Sequence, residues 1–188
     1  MHLSHLSVRL TRRAAALGLG SLTAAVAVRG TTAQDATPEA TAGALPPVLA
    51  EWVAAWTAHD SDRFLALYLP DAVYEEVPTK TVAEGHDAIR AFTEFNFANF
   101  ADIEVRPESG FQAQDWAVLQ AVFAGRYTGS LPGLPAGSGQ PFSVRFATVF
   151  HLDGEKIRRN TDYFDNYAFL IQIGALPAPS GATPTAAT

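Results

Sequence analysis

The residues of this sequence that are able to do chemistry are carboxylates, hydroxyls, arginines and scattered histidines, because the chain contains no cysteine. The lack of cysteine excludes a disulfide framework, an iron–sulfur cluster and a thiol nucleophile. His59, His86 and His151 are far apart in the chain and do not form a metal-binding pattern. Carboxylates remain, among them Asp162 and Asp165, and a carboxylate in an apolar pocket can act as a general base.

These two aspartates lie at the end of the clearest predicted hairpin, whose strands cover 142–152 and 155–164. Asp153-Gly154 between them is a strong two-residue turn signal. If these residues form the turn, Arg159, Tyr163 and Asp165 lie on the apolar face, because side chains alternate along a strand. The first strand contributes the apolar residues of that face: Phe142, Val144, Phe146, Phe150 and Leu152. Polar groups on such a face need partners or a cavity, so this pattern predicts a pocket.

Other interpretations of the same residues stay open. The predicted register turns Asp162 outward, opposite Arg145, where a surface salt bridge explains it. A slip of one residue would exchange Asp162 and Asp165, so Asp162 remains a candidate. Asp165 also stands directly before the predicted last helix, where it can simply be an N-cap. Arg159 and Asp165 can equally form a structural ion pair.

The elements that position these residues can be predicted from apolar spacing and turn signals. Helices are expected around 48–56, around 61–68, from Gly85 to about Phe100, and over 166–173. Strands are expected at 73–77, at 102–108 and as a hairpin over 111–127. The glycine- and proline-rich loop 130–141 is placed where a pocket rim would be. Three helices followed by antiparallel strands predict an α+β fold, with the helices on one face of a curved sheet.

The two ends of the chain have a different composition from the middle. Residues 1–33 carry four arginines, no acidic residue and a short apolar stretch, which is typical of a secretory signal, and Arg12-Arg13 resembles a twin-arginine signal. This stretch is too short to cross a bilayer, so the sequence predicts an exported, periplasmic or extracellular protein without an integral membrane segment. The composition of residues 34–45 predicts a flexible linker, and that of residues 177–188 predicts a disordered tail. The folded domain is expected over 46–176.

The net charge of the 188-residue chain is −6, with 13 Lys and Arg against 19 Asp and Glu. Nucleic-acid binding requires clustered basic residues that neutralise phosphates, and this sequence has no such cluster. The composition therefore excludes nucleic acid as a partner, and the predicted pocket favours a small apolar ligand.

Several motifs, in this order and spacing, resemble the SnoaL-like polyketide cyclases of the nuclear transport factor 2-like superfamily. They are Gly85-His86-Asp87-Ala88-Ile89-Arg90-Ala91-Phe92, Phe123 to Gly129, Asp153-Gly154-Glu155-Lys156-Ile157, Asp162-Tyr163-Phe164-Asp165 and Phe169 to Gly174. The resemblance covers about 49–176. It implies a cone-shaped barrel, in which a curved antiparallel sheet and three N-terminal helices enclose a deep apolar pocket, and a short C-terminal helix. It also implies a homodimer.

The resemblance implies a cyclase that closes a ring by intramolecular aldol condensation without a cofactor or a metal. Asp165 matches the family's general acid/base, and Tyr163 or Arg159 would stabilise the enolate oxygen. Phe146 and Trp56 are expected to line the substrate pocket. Because this fold also serves isomerases and binding modules, the alternative is a non-catalytic module that binds an apolar ligand or a partner protein.

Overall fold

The computed structural model of the protein describes residues 44–179. The predicted export signal (1–33), most of the predicted linker (34–45) and most of the predicted tail (177–188) lie outside the described residues.

The helices begin and end close to the predicted positions. They are α1 (Pro47–Thr57), α2 (Ser61–Leu65), α3 (Gly85–Asn99) and α4 (Asn166–Gln172). Pro47 stands in the first turn of α1, where its missing N–H costs no helical hydrogen bond. The same helix buries Leu49, Trp52 and Trp56 along one stripe. Asp60 caps α2 by accepting a hydrogen bond from the Arg63 amide at 2.9 Å.

The six strands form one curved, mixed sheet with the order β2-β1-β6-β5-β4-β3. They are β1 (Tyr68–Glu76), β2 (Thr81–Glu84), β3 (Phe100–Ala113), β4 (Trp116–Tyr127), β5 (Gln140–Asp153) and β6 (Lys156–Phe164). The prediction of an all-antiparallel sheet is wrong at one pair, since β1 and β6 run parallel. Hairpins carry local turn signals, but the pairing of two strands so distant in the chain leaves no such signal. Strand β2, only four residues long, was not predicted.

The register predicted for the β5–β6 hairpin is wrong. Leu152 pairs with Ile157, but His151 pairs with Arg159, so β6 contains one extra residue at Arg158. Such a bulge moves every later side chain to the opposite face. Asn160, Asp162 and Phe164 therefore lie on the inner face.

This bulge turns Arg159 and Tyr163 outward, contrary to the prediction, and Asp165 is exposed beyond the end of the strand. Thr148 pairs directly with Asp162. Arg145, the predicted salt-bridge partner of Asp162, instead pairs with Glu108 at 2.9 Å.

The helices and the inner face of the sheet share one aromatic-rich core. Trp52 lies in this core within 6.0 Å of both Phe146 and Phe150 of β5, measured between ring centroids. Phe64 of α2 contacts the same indole at 5.9 Å. Edge and tilted contacts of this kind stabilise aromatic cores beyond area burial alone. The helices thus surround the inner-facing side chains of β5 and β6 with largely apolar groups.

The loop 128–139, between β4 and β5, is fixed to the C-terminal end of α3. Asn99 Oδ1 accepts a hydrogen bond from the Ser130 amide at 2.6 Å. Tyr127 Oη accepts from the Leu131 amide at 2.9 Å and donates to the Pro135 carbonyl at 2.8 Å. The buried amide and phenol thus organise this loop from within.

We expect Asn99→Ala to free the Ser130 amide, because the variant removes its hydrogen-bond acceptor. Loss of this hydrogen bond should lower the free energy of local opening by about 1–2 kcal/mol, which speeds hydrogen exchange of the Ser130 amide roughly tenfold. Hydrogen exchange followed by NMR measures this change. Asn96→Ala is the matched control, since Asn96 donates to the Phe92 carbonyl within α3. Unchanged Ser130 exchange in Asn99→Ala, or equal acceleration in Asn96→Ala, would contradict this account of the loop.

Candidate active site

A cavity of about 470 Å³ lies between the helices and the inner face of the sheet. This volume is within the usual range for small-molecule sites. All six strands and the helices α1, α3 and α4 line it, together with the turn after β1 and the loop 128–139. The lining residues are Trp52, Trp56, Tyr74, Glu76, Thr79, Thr81, Phe92, Phe95, Asn96, Phe100, Phe123, Leu131, Pro132, Val144, Phe146, Asp162, Phe164, Asn166 and Phe169.

Aromatic rings form most of the cavity wall. Trp56 contacts Phe123 edge-on, with ring centroids 5.8 Å apart, and lies 5.9 Å from Trp52. On the other side Tyr74 lies 4.6 Å from Phe92. Leu131 and Pro132 of the loop complete the apolar lining. Such a wall excludes water from polar groups within it and strengthens their electrostatic interactions.

Asp162 is a carboxylate on the wall of this cavity, with only 6% of its surface exposed. Its Oδ2 accepts a hydrogen bond from the Tyr74 hydroxyl. Its Oδ1 accepts a second from Asn160 Nδ2 at 2.7 Å. Both donors are themselves buried, so their positions are fixed by packing.

A chain of buried hydrogen bonds extends from Asp162 to the first helix. Asn160 Nδ2 also donates a hydrogen bond to Thr148 Oγ1 at 2.9 Å. Asn160 Oδ1 accepts one from the Tyr68 hydroxyl at 2.8 Å. Tyr68 in turn accepts from Trp52 Nε1 at 3.0 Å. Because each member orients the next, the network holds the carboxylate in one position.

The environment of Asp162 makes it a weaker acid than an aspartate in water. Burial raises the pKa of Asp162, and hydrogen bonding from Thr148, Tyr74 and Asn160 counteracts this increase only in part. No ion pair involving Asp162 exists within 44–179, and no Lys, Arg or His lines the cavity there. Burial and the charge of Asp162 also raise the pKa of Tyr74 well above its usual value. Tyr74 is therefore a neutral donor.

Glu76 is a second carboxyl group of the cavity, and the sequence analysis missed it. Glu76 lies directly beside Asp162 in the parallel β1–β6 pair. Its Oε2 accepts a hydrogen bond from Thr79 Oγ1 at 2.9 Å. Burial, and then the neighbouring charge of Asp162, raise the pKa of Glu76 to about 7. The acidic pair Glu75-Glu76 was visible in the sequence, but its pairing with β6 was not.

The structure separates the predicted site residues into two groups. Asp162, Phe146 and Trp56 line the cavity. Arg159 is exposed and forms an ion pair with Glu75 on the opposite side of the sheet. Tyr163 is 49% exposed.

Asp165 lies outside the main cavity. Its Oδ1 accepts the Ala168 amide at 2.9 Å, which makes it the N-cap of α4. The expectation that Arg159, Tyr163 and Asp165 face the cavity is therefore wrong.

The part of the chain that the structure describes has neither a candidate metal site nor a membrane-spanning helix. Residues 44–179 contain no group of three or more His, Asp or Glu side chains that could hold a metal ion. No helix over the same residues combines the length and the apolar character needed to cross a membrane.

A model of the SnoaL-like polyketide cyclase family matches residues 47–173, from the start of α1 to the end of α4. This protein belongs to the SnoaL-like polyketide cyclase family. The match includes both carboxylates and all of the elements that line the cavity. No curated protein sequence is significantly similar to the chain.

Solved structures resemble this SnoaL-like domain over nearly their full length. A Catenulispora acidiphila protein with a ketosteroid isomerase-like fold, solved with trimethylamine, is 26% identical, with a TM-score of 0.61. The alignment covers 74% of this chain and 99% of that one. TsrD from Streptomyces laurentii is 25% identical with a TM-score of 0.61, covering 69% and 93% of the two chains. A candidate polyketide cyclase from Pseudomonas putida, 23% identical with a TM-score of 0.61, shares the fold over 68% and 96%.

The raised pKa of Glu76 predicts a pH-dependent stability. The pKa is about 7 in the folded protein against a usual value of 4.5, so the folded state holds this proton more tightly than the unfolded chain. Its contribution to stability is complete below about pH 4.5 and is lost as the pH rises through about 7. Between about pH 5 and pH 8, the free energy of unfolding of the wild type should fall by roughly 2–3 kcal/mol relative to Glu76→Gln.

Urea denaturation at several pH values measures this difference. The matched control is Glu75→Gln, because Glu75 is the preceding residue and pairs with Arg159 outside the cavity. The same pH-dependent difference in Glu75→Gln, or none in Glu76→Gln, would be inconsistent with a buried, protonated Glu76.

Proposed function

We propose that this protein is a cofactor-independent acid/base enzyme that acts on a small, largely apolar carbonyl compound. The reaction is an isomerisation or an intramolecular aldol cyclisation within the cavity. The observation that carries this proposal is the pair of adjacent carboxyl groups, Asp162 and Glu76, on the wall of an aromatic cavity. Membership of the SnoaL-like family supports the reaction class.

Asp162 acts as the base. Its ionised form removes a proton from the carbon next to the substrate carbonyl, and the electron pair of that C–H bond becomes an enolate. Burial makes this carboxylate a stronger base than one in water. The donors Tyr74 and Asn160 keep it ionised and aimed at a fixed point. No proton leaves Tyr74 in this step, since burial keeps its phenol neutral.

Glu76 acts as the complementary acid. Burial, and then the charge of Asp162, raise the pKa of Glu76 to about 7, so Glu76 retains its proton up to about that pH. A protonated carboxyl group can donate a hydrogen bond to the enolate oxygen or return a proton to the product. Two neighbouring carboxyl groups, one held ionised by hydrogen-bond donors and one that keeps its proton, are suited to opposite roles.

The aromatic wall supplies the remaining function, which is to fold and enclose the substrate. Trp56, Phe123 and Phe146 present apolar surface from three different elements. An enclosed substrate meets its own electrophile more often than solvent, so ring closure competes well with other reactions of the enolate.

A second candidate is binding of a small molecule without catalysis. The Catenulispora relative was solved with trimethylamine, so a protein of related sequence and fold holds a small ligand. In this reading the present chain stores or carries its ligand in the same cavity, and the two carboxyl groups serve recognition alone. Export and homodimer formation stay predictions in both readings.

Replacement of Asp162 by asparagine tests the role of the base. The amide keeps the size of the side chain but cannot accept a proton, so proton abstraction should slow by about 10²–10⁴-fold. The measurements are isomerisation of a β,γ-unsaturated cyclohexenone by ultraviolet absorbance and deuterium exchange next to its carbonyl by NMR. Asp165→Asn is the matched control, because Asp165 lies outside the cavity as a helix cap.

The Asp165→Asn protein should retain the wild-type rate. Equal rates in wild type and Asp162→Asn, or no acceleration by the wild type over buffer, would contradict the acid/base mechanism and favour binding alone. Loss of activity in Asp165→Asn but not in Asp162→Asn would exchange the roles of the two aspartates.

Glu76 should determine the alkaline limb of the pH profile. If Glu76 donates a proton, the rate falls as the pH rises through about 7, where this group ionises. Glu76→Gln retains a hydrogen-bond donor that does not titrate, so its rate should be lower but flat across that range. A wild-type rate that instead rises through about pH 7 would make Glu76 the base.

A further inference from the structure

The charged groups that line the cavity are all acidic. Asp162 and Glu76 are its carboxyl groups, and no Lys, Arg or His from residues 44–179 takes part in the lining. Lys80, in the turn between β1 and β2, is exposed and does not contribute. The basic residue nearest in register, Arg159, is paired with Glu75 on the outer side of the sheet. The cavity would therefore repel an anionic ligand, and its lining offers that ligand no positively charged partner.

The two carboxyl groups still have the capacity to accept contacts from a ligand. Asp162 Oδ2 accepts from Tyr74, Oδ1 accepts from Asn160, and the Thr148 hydroxyl also acts on this carboxylate, whereas the two oxygens together can accept about four hydrogen bonds. Glu76 Oε2 accepts from Thr79, and Glu76 Oε1 accepts no hydrogen bond from the residues that the structure describes. The lining thus presents acceptors with spare capacity, and these acceptors become negatively charged as the pH rises.

Ten of the nineteen lining residues are aromatic. The negative faces of aromatic rings attract cations, and groups of such rings bind alkylated ammonium ions. Trp52 and Trp56 of α1, the strongest ring type for this interaction, lie on the same wall as Phe146 and Phe123. A ligand with a positive charge surrounded by methyl or methylene groups can pair with the carboxylates and contact the aromatic rings at the same time.

We infer that the ligand of this cavity carries a positively charged, alkylated ammonium group. This inference rests on the proposed function, because it assigns the class of ligand to the same cavity. The ammonium group lies within reach of Glu76 and Asp162, and its alkyl substituents contact the aromatic wall. The uncharged remainder of the ligand extends along the apolar lining toward Leu131 and Pro132.

A cation in this position changes the ionisation of its neighbours. The titratable groups that face the cavity are Tyr74 and Glu76 from β1 and Asp162 from β6. The lining residues of the helices, of β2, β3, β4 and β5, of the turn after β1 and of the loop include no titratable group. A bound positive charge stabilises ionised Glu76, so binding releases a proton and strengthens as the pH rises through about 7. With such a cationic ligand Glu76 serves as the counter-charge, and Asp162 itself returns the proton that it removed; Glu76 keeps its role as acid only toward uncharged substrates. Tyr74 stays neutral throughout that range.

The test compares choline with its uncharged carbon isostere, dimethylbutanol, in which a carbon atom replaces the nitrogen. The two probes have nearly the same shape, so calorimetric titration separates charge from size. We expect choline to bind the full chain about tenfold tighter or more near pH 8, with the preference shrinking several-fold near pH 5.5. Glu76→Gln should lose most of the preference, and Glu75→Gln should keep it.

Equal affinity for the two probes, a preference for the uncharged probe, or binding of neither overturns the inference. The wild-type comparison of probes and of pH values does not depend on any variant, so misfolding of Glu76→Gln leaves the test decisive. Failure here is distinct from failure of the proposed function. An Asp162-dependent exchange reaction without choline preference removes this inference alone, whereas choline preference without exchange activity removes the catalytic proposal alone.

Discussion

The organisation of this protein depends on one carboxylate, Asp162, that is buried without a cationic partner among residues 44–179. Removal of such a group from water costs several kcal/mol unless hydrogen bonds compensate. The compensation here comes from the neutral donors Tyr74 and Asn160. An arginine or lysine in their place would lower the pKa of Asp162 and weaken it as a base. Neutral donors hold the carboxylate in position and offset only part of the increase that burial causes in its pKa.

Two features of the sheet bring the site together. The bulge at Arg158 turns Asn160 and Asp162 inward, and the parallel pairing of β1 with β6 places Glu76 beside Asp162. Each feature alone would leave one isolated carboxyl group. Together they place two acids in contact with one cavity, where each ionisation is felt by the other. The backbone thus creates the contact through which the charge of Asp162 helps to raise the pKa of Glu76.

The sequence allowed the helices, the β3–β4 and β5–β6 hairpins and the aromatic character of the pocket to be predicted, because each has a local signal in periodicity or turn residues. The orientation of β6 could not be predicted, since a bulge adds one residue without any change in composition. In β6 the buried residues Ile157 and Asn160 are separated by two exposed residues, which is the spacing that a bulge produces. Because Asn160 is polar, the sequence does not mark it as buried, and this spacing cannot be recognised from the apolar pattern. The role of Glu76 depends on a pairing between distant strands, which no local pattern encodes.

The position of the polar groups within the cavity constrains how any ligand must lie. Glu76, Thr79 and Thr81 come from β1, β2 and the turn between them, and Asp162 lies on the adjacent strand. The wall formed by α1, β4 and β5 is apolar instead. Apolar surfaces attract without fixing direction, so orientation comes from the polar side. Asn96 of α3 and Asn166 of α4 also line the cavity but are neutral. A positively charged end of a ligand must therefore turn toward β1 and β6, where both carboxyl groups lie, and the atoms next to that end are the ones that Asp162 and Glu76 can reach.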